Sequence, residues 1–243
     1  MLNLMKSILI LHHNKNIIMA ITIGQSAFVR ISSYLSTLCL ALCTSVPCLS
    51  QPDDQAEIDR KVRAFLAKHS GEWYDMNVPV KDGKLLYDLI QENNYQHALE
   101  IGTSTGHSSI WMAWALSKTG GRLVTIEIDE KRHREALKNF KEAGVSDFID
   151  ARLADAHTLV PQLKGPFDFV FSDADKSWYR NYFLAVDPKL KINGCYTTHN
   201  VSGRPGYGSN SEYLEFLQSL PNYNTTVNSE GNGMAISYKT SDR

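Results

Sequence analysis

The apolar run of Ala98, Leu99 and Ile101 stops at Gly102 inside the stretch ALEIGTSTGHSS (residues 98–109), and RLVTIEIDE (residues 122–130) follows one helix later. A short continuous apolar run reads as a strand buried on both faces. A glycine turn, a helix and a second such strand then read as a parallel β-α-β unit. Gly102 and Gly106 permit the tight turn, and the helix is expected from about Gly106 to Lys118. Leu123, Val124, Ile126 and Ile128 are expected in the next strand. Glu127 closes it about twenty residues beyond the glycine turn, the spacing at which a carboxylate accepts hydrogen bonds from a ribose diol. The unit points to a nucleoside-containing ligand.

The glycine pattern also chooses among such ligands. A dinucleotide fingerprint needs a further glycine where the backbone touches a pyrophosphate, but Ser104 stands there, and Glu100 precedes the first glycine. A carboxylate in that position repels a diphosphate and suits a ligand with an ammonium group. S-adenosylmethionine joins adenosine to an amino-acid tail through a cationic sulfonium, which makes it the expected cofactor. NAD, and with it an NAD-dependent oxidoreductase, is the weaker alternative.

The 243 residues, 43% hydrophobic and 21% charged, suffice for one substantial core. A formal charge of −1 with no long basic run points away from nucleic acid and from an anionic membrane, and toward a small-molecule partner. Residues 1–50 differ from the rest, carrying Lys6, Lys15 and Arg30 but no Asp or Glu, with an apolar stretch from Tyr34 to Val46 that closes on Pro47, Cys48, Leu49 and Ser50. That is the layout of a secretory signal peptide, the alternative being an N-terminal extension. The expected location is periplasmic or secreted if the signal is used and cytoplasmic otherwise. The apolar stretch is too short for a stable membrane span. Three of the four cysteines fall in this segment, so Cys195 alone remains beyond it and no disulfide framework is expected there.

Residues 51–243 read as a single domain. An amphipathic helix after Asp53 carries Ile58, Val62, Phe65 and Leu66, and a second follows DMNVPVKDGKLL (residues 75–86) with Leu85, Leu86, Leu89 and Ile90. Strands and helices then alternate: strand 98–102, helix 106–118, strand 122–128, helix 130–143, strand 148–153, helix 156–163, strand 167–172, helix 176–187 and strand 194–199. Such alternation predicts a Rossmann-like, doubly wound parallel sheet. Two strands near 223–229 and 233–239, joined by Glu230-Gly231-Asn232-Gly233, predict an antiparallel C-terminal hairpin at the edge. The expected fold is therefore α/β, seven-stranded and mostly parallel, the layout of class I methyltransferases.

Five segments in order resemble the cation-dependent O-methyltransferases, the family of catechol O-methyltransferase and caffeoyl-coenzyme A O-methyltransferase. They are DMNVPVKDGKLL, ALEIGTSTGHSS, VTIEID, FDFVFSDADK (residues 167–176) and CYTTHN (residues 195–200). The resemblance spans about residues 56–240. It implies Met76, Asn77 and Val78 against S-adenosylmethionine, Glu100, Gly102 and Ser108 around its amino-acid end, and Glu127 on the ribose. It also implies Asp155 and Ala156 beside the adenine and Asp173 between the ammonium and a metal. Read without the resemblance, Ser108 and Asp155 suit helix starts, where a side-chain oxygen satisfies a free backbone N–H.

One position departs from the family pattern. Two carboxylates and a carboxamide hold magnesium in the family, an oxygen set that suits a hard cation. Here the set is Asp173, His199 and Asn200, with a histidine in place of the second acid. The exchange favours manganese or another transition ion as the divalent cation, or else no metal, with His199 as a general base near neutral pH. Lys176 matches the family lysine that takes the proton from the acceptor hydroxyl. Trp178, Tyr179, Tyr207 and the loop from Ser202 to Ser211 are candidates for the acceptor pocket. The resulting expectation is methyl transfer to an oxygen of a small, aromatic hydroxyl substrate. A methyltransferase-fold binding protein without turnover is the alternative, and a homodimer is left open.

Overall fold

The computed structural model describes residues 7–8, 21–22, 52–201 and 210–242. The chain divides into two compact units, Met1–Leu49 and Ser50–Arg243. In the first, Ser7–Ile8 pairs antiparallel with Ile21–Thr22. The rest of the leader segment, Tyr207 and most of the loop from Ser202 to Ser211 lie outside the described residues.

The second unit opens with two helices, α1 (Pro52–Lys68) and α2 (Val80–Glu92). The α/β alternation follows: β1 (His97–Ile101), α3 (His107–Thr119), β2 (Arg122–Glu127), α4 (Glu130–Ala143), β3 (Ile149–Leu153), α5 (Ala156–Gln162), β4 (Phe167–Ser172), α6 (Tyr179–Val186) and β5 (Leu190–His199). Helix α7 (Ser211–Gln218) and the hairpin β6 (Tyr223–Asn228) and β7 (Met234–Lys239) complete it. The sheet order is β3-β2-β1-β4-β5-β7-β6, parallel except where β7 meets β5 and β6. This is the expected seven-stranded, doubly wound sheet with an antiparallel C-terminal hairpin. Among the described residues no helix is long and apolar enough to cross a membrane.

Alternation along each strand decides which helices cover which face. Ala98, Phe169 and Phe171 pack with Val62 of α1, Leu86 of α2, Ala113 of α3 and Phe140 of α4. Leu99, Ile101 and Val170 point the other way, onto Val160 of α5, Phe183 of α6 and Leu217 of α7. Both faces are thus buried, and each fully buried Leu or Phe side chain contributes about 1.5–3 kcal/mol.

Local boundaries differ slightly from expectation. Ile128 is not in β2: the strand ends at Glu127, and Ile128 is 69% exposed because the chain has left the sheet there. Helix α2 starts inside the DMNVPVKDGKLL segment, at Val80, directly after Pro79, whose fixed φ suits a helix start. Residues 176–178 form a separate 3₁₀ turn before α6. Strand β5 reaches back to Leu190 through Asn193, which takes a left-handed φ of 66°.

Candidate active site

The strand order reverses between β1 and β4, and in such sheets the crevice at the carboxyl ends beside the reversal is the ligand site. The turns after these two strands touch. Gly102 has φ +101°, and a Cβ there would stand 2.6 Å from the backbone oxygen of Asp173, so the approach requires glycine. A cleft of about 380 Å³ opens above this contact, lined among others by Met76, Gly102, Ser108, Glu127, Asp155, Ala156 and Asp173. Seven of the expected cofactor residues therefore share one wall system.

Glu127 is the most firmly held group in the cleft. Its Oε2 accepts from the Ser104 N–H at 2.7 Å, and its Oε1 from Ile128 N–H at 3.0 Å and Asp129 N–H at 2.9 Å. Three backbone donors fix the carboxylate before any ligand arrives, with acceptor capacity left over. Asp155 lines the cleft and also caps α5, accepting from His157 N–H at 2.8 Å. The two readings of Asp155 are compatible. Beside it, His157 and Tyr182 line the cleft, and Trp178 stacks on His157 with ring centroids 4.0 Å apart. Trp178 thus backs His157 and is not among the cleft-lining residues, and Tyr179 is core, 1% exposed with its hydroxyl donating to the His199 carbonyl at 3.1 Å.

The Met-Asn-Val loop is clamped over the glycine turn by residues the sequence did not single out. Arg132 donates twice to Asp75, at 3.0 and 2.7 Å, and the Ser104 hydroxyl bonds the Asp75 carbonyl. Asn77 donates to Thr105 Oγ1 at 2.7 Å. His107 Nδ1 donates to the Val78 carbonyl at 2.8 Å while Nε2 accepts from Trp111 Nε1 at 3.1 Å. Burial lowers the His107 pKa to about 4, against the Val78 bond that raises it, so this neutral tautomer persists. Asn77 and Val78 therefore hold the loop rather than line the cleft, and Met76, at φ 54° and 73% exposed, stands at its edge. Gly106 likewise sits below the cleft. It caps α3 at φ 96°, where a Cβ would lie 2.4 Å from Phe140 Cε1.

Glu100, expected at the cofactor ammonium, lies beneath the cleft wall. It shares strand parity with Ala98, so it points under α3, fully buried, and is not part of the cleft wall. Ser108 at 2.5 Å, Thr125 at 2.5 Å and Ser109 all donate to it. Burial pushes its pKa up to about 7, partly offset by these hydroxyls.

His199 stands between two carboxylates. Its Nδ1 lies 2.9 Å from Asp173 Oδ2 and its Nε2 2.9 Å from Asp82 Oδ2, with the ring 3% exposed. Burial alone would lower its pKa, but the bonds to Asp173 and Asp82 outweigh that and hold it up at about 9. With a carboxylate oxygen 2.9 Å from each ring nitrogen, His199 presents no bare nitrogen to an ion or a substrate hydroxyl in this arrangement. Asp173, His199 and Asn200 thus do not assemble the donor set a divalent cation needs, and among the described residues no cluster of three or more His, Cys, Asp or Glu is arranged to hold one. Asn200 follows His199 in a left-handed turn, φ 55°. Lys176 is exposed one residue beyond Asp175, which lines the cleft. Asp82 was missed by the sequence reading because an acid between Lys81 and Gly83 reads as an ordinary first-turn helix residue.

Known proteins share this framework. Over 112 residues, 44% of this chain and 50% of the relative, the sequence is 43% identical to a catechol O-methyltransferase of Niastella koreensis. Over 140 residues, 56% of each, it is 33% identical to caffeoyl-CoA O-methyltransferase 1 of Eucalyptus globulus. The chain spans about half the length of these curated relatives. An O-methyltransferase from Bacillus cereus, solved in complex with SAH, matches with a TM-score of 0.59 at 26% identity, covering 87% of this chain and 97% of that one. The O-methyltransferase TomG from Streptomyces achromogenes, involved in tomaymycin synthesis and solved with SAM, gives 0.59 at 26% identity, covering 90% and 100%. The description O-methyltransferase matches residues 50–202, a span that carries the glycine turn, Glu127, Asp173 and His199, and on that ground the chain belongs to the O-methyltransferase family.

Proposed function

We propose that this protein transfers the methyl group of S-adenosylmethionine to a hydroxyl oxygen of a small, aromatic substrate. The observation that carries the reading is the Glu127 carboxylate, fixed by three backbone donors at the rim of a cleft that also presents Asp155 and Asp173. Glu127 accepts from the ribose hydroxyls. The aromatic surface of His157, backed by Trp178, and of Tyr182 beside Asp155 suits an adenine. Asp173 faces the cationic end of the donor. Relatives solved with SAM and SAH support the same ligand.

In the reaction the acceptor oxygen forms a bond to the methyl carbon as the carbon–sulfur bond breaks, and the sulfonium becomes a neutral thioether. The hydroxyl proton leaves to a base. We assign that base to Lys176 in its neutral amine form, next in sequence to the cleft-lining Asp175. The clamped loop of Asp75 to Val78 orients the donor and excludes water from the transfer.

Calorimetric titration with S-adenosylmethionine, S-adenosylhomocysteine and NAD tests the cofactor. Binding of the first two and not the third is expected, and binding of NAD alone would overturn the reading. A panel of catechols and other phenols, followed by mass spectrometry for a gained methyl group, tests the chemistry. Lys176→Met should lower kcat about a hundredfold with donor affinity unchanged. We also propose the first fifty residues as a cleaved export leader, which N-terminal sequencing of the mature protein checks.

A further inference from the structure

We propose that this chain works without a divalent cation, Asp82 and Asp173 holding the His199 ring in the place that the related enzymes give to the ion. The inference rests on the methyl-transfer reading above. It starts from geometry: two carboxylate oxygens, each 2.9 Å from a different ring nitrogen, close both coordination directions of the imidazole. Ligation of a metal by His199 would need one of those nitrogens bare, and so would have to expel Asp82 or Asp173 from it.

Asp82 is built into this place rather than resting there by chance. It is 1% exposed, and its Oδ2 also accepts from Asn232 N–H at 3.1 Å, in the turn between β6 and β7. A Cβ at Gly231 would fall 1.9 Å from Asp82 Oδ1, so that turn is shaped around the carboxylate. Two separated parts of the chain thus meet on one ring, and a third holds Asp82 in place. Buried Asp82 and partly buried Asp173 are costly to place on either side of one site unless each has a hydrogen-bonding partner there, and the His199 ring meets both. Asp82 is a positioning residue: it touches no cleft atom and acts through His199 on Asp173, which lines the cleft.

The test is a Mn²⁺ titration of the full chain, followed by electron paramagnetic resonance of the free ion, with calorimetry of S-adenosylmethionine in chelator run alongside. Wild-type protein should bind no stoichiometric Mn²⁺, and its turnover should change less than about twofold between chelator and added Mg²⁺ or Mn²⁺. His199→Asp combined with Asp82→Asn, which restores the oxygen donor set, should tighten Mn²⁺ binding at least about tenfold. Asp82→Asn alone should lower kcat about tenfold and leave the Kd for S-adenosylmethionine within about twofold, a split that general destabilisation would not produce. Stoichiometric Mn²⁺ on the wild-type protein, or turnover abolished by chelator, overturns the proposal. If the double variant does not fold, the wild-type titration decides alone. Absence of donor binding would instead overturn the methyltransferase reading, which separates the two failures.

Discussion

Nε2 of His199 lies 2.9 Å from Oδ2 of Asp82, tying the carboxyl end of β5 to the first turn of α2 across 117 residues of sequence. This bond lets a buried ring keep its charge. Replacing Asp82 with Ala leaves one side of that charge unpaired in a dry site, and the expected loss is about 3 kcal/mol or more in urea unfolding. A loss under about 1 kcal/mol would mean that the bond is not formed in solution.

The same site sets a pH window. The His199 pKa is raised, to about 9 from an ordinary 6.5, so the folded state holds a proton that the unfolded chain releases first. Its contribution is therefore complete below about pH 6.5 and is lost as pH rises through about 9. Denaturant midpoints measured across that range should fall steadily for the wild type. A flat profile there contradicts the assignment.

His107 behaves oppositely. Its pKa is lowered to about 4, so between about pH 6.5 and 4 the unfolded chain takes up a proton that the folded one refuses, and stability falls with acidification. His107→Leu removes both the donor to Val78 and the acceptor for Trp111. It should cost about 2 kcal/mol and weaken donor binding by loosening the Met76 loop. Calorimetry with unchanged affinity would show that the loop does not depend on this clamp.

Glu127→Gln keeps the size but turns an N–H donor against backbone N–H groups that now meet an acceptor. The Kd for S-adenosylmethionine should rise about tenfold or more, equivalent to a charge-assisted hydrogen bond. Titration of the folded variant, checked by circular dichroism, measures this. An unchanged Kd would remove Glu127 from the site.

Gly102→Ala should be far more damaging than Gly120→Ala, although both positions have positive φ. At Gly102 the new methyl meets the Asp173 backbone at 2.6 Å, whereas at Gly120 nothing lies within 4 Å. The expected cost at Gly120 is about 1 kcal/mol, and at Gly102 it exceeds this, with kcat reduced because Asp173 must move. Equal melting-temperature shifts would contradict the close approach.

Much of the fold was legible in the chain, because strand and helix periodicity are local properties. The runs at Ala98–Ile101 and Phe167–Ser172 carry apolar residues on both faces, interrupted by Glu100 and Asp168, and the structure buries both faces. The glycine turn was legible too, since Gly102 answers a steric demand that few other residues meet. Less legible was the role of Glu100. Its place before the glycine suggested a ligand contact, yet strand parity turns it beneath α3, where Ser108, Ser109 and Thr125 enclose it. The loop clamps through Arg132 and His107 left no pattern, because each pairs residues about thirty or more positions apart with no periodic spacing.

The sequence by itself determined the order of strands and helices, the switch-point turn and the carboxylate at the end of β2, all of which follow from side-chain period and backbone sterics within short windows. Only the tertiary structure decided what His199 is. Its neighbours Asp82 and Asp173 come from α2 and the end of β4, and a histidine's charge and ligating power depend on which groups face its two nitrogens. Pairing across 117 residues is a property of packing, not of spacing, and it sets a second carboxylate against a ring that the sequence offers as a metal ligand.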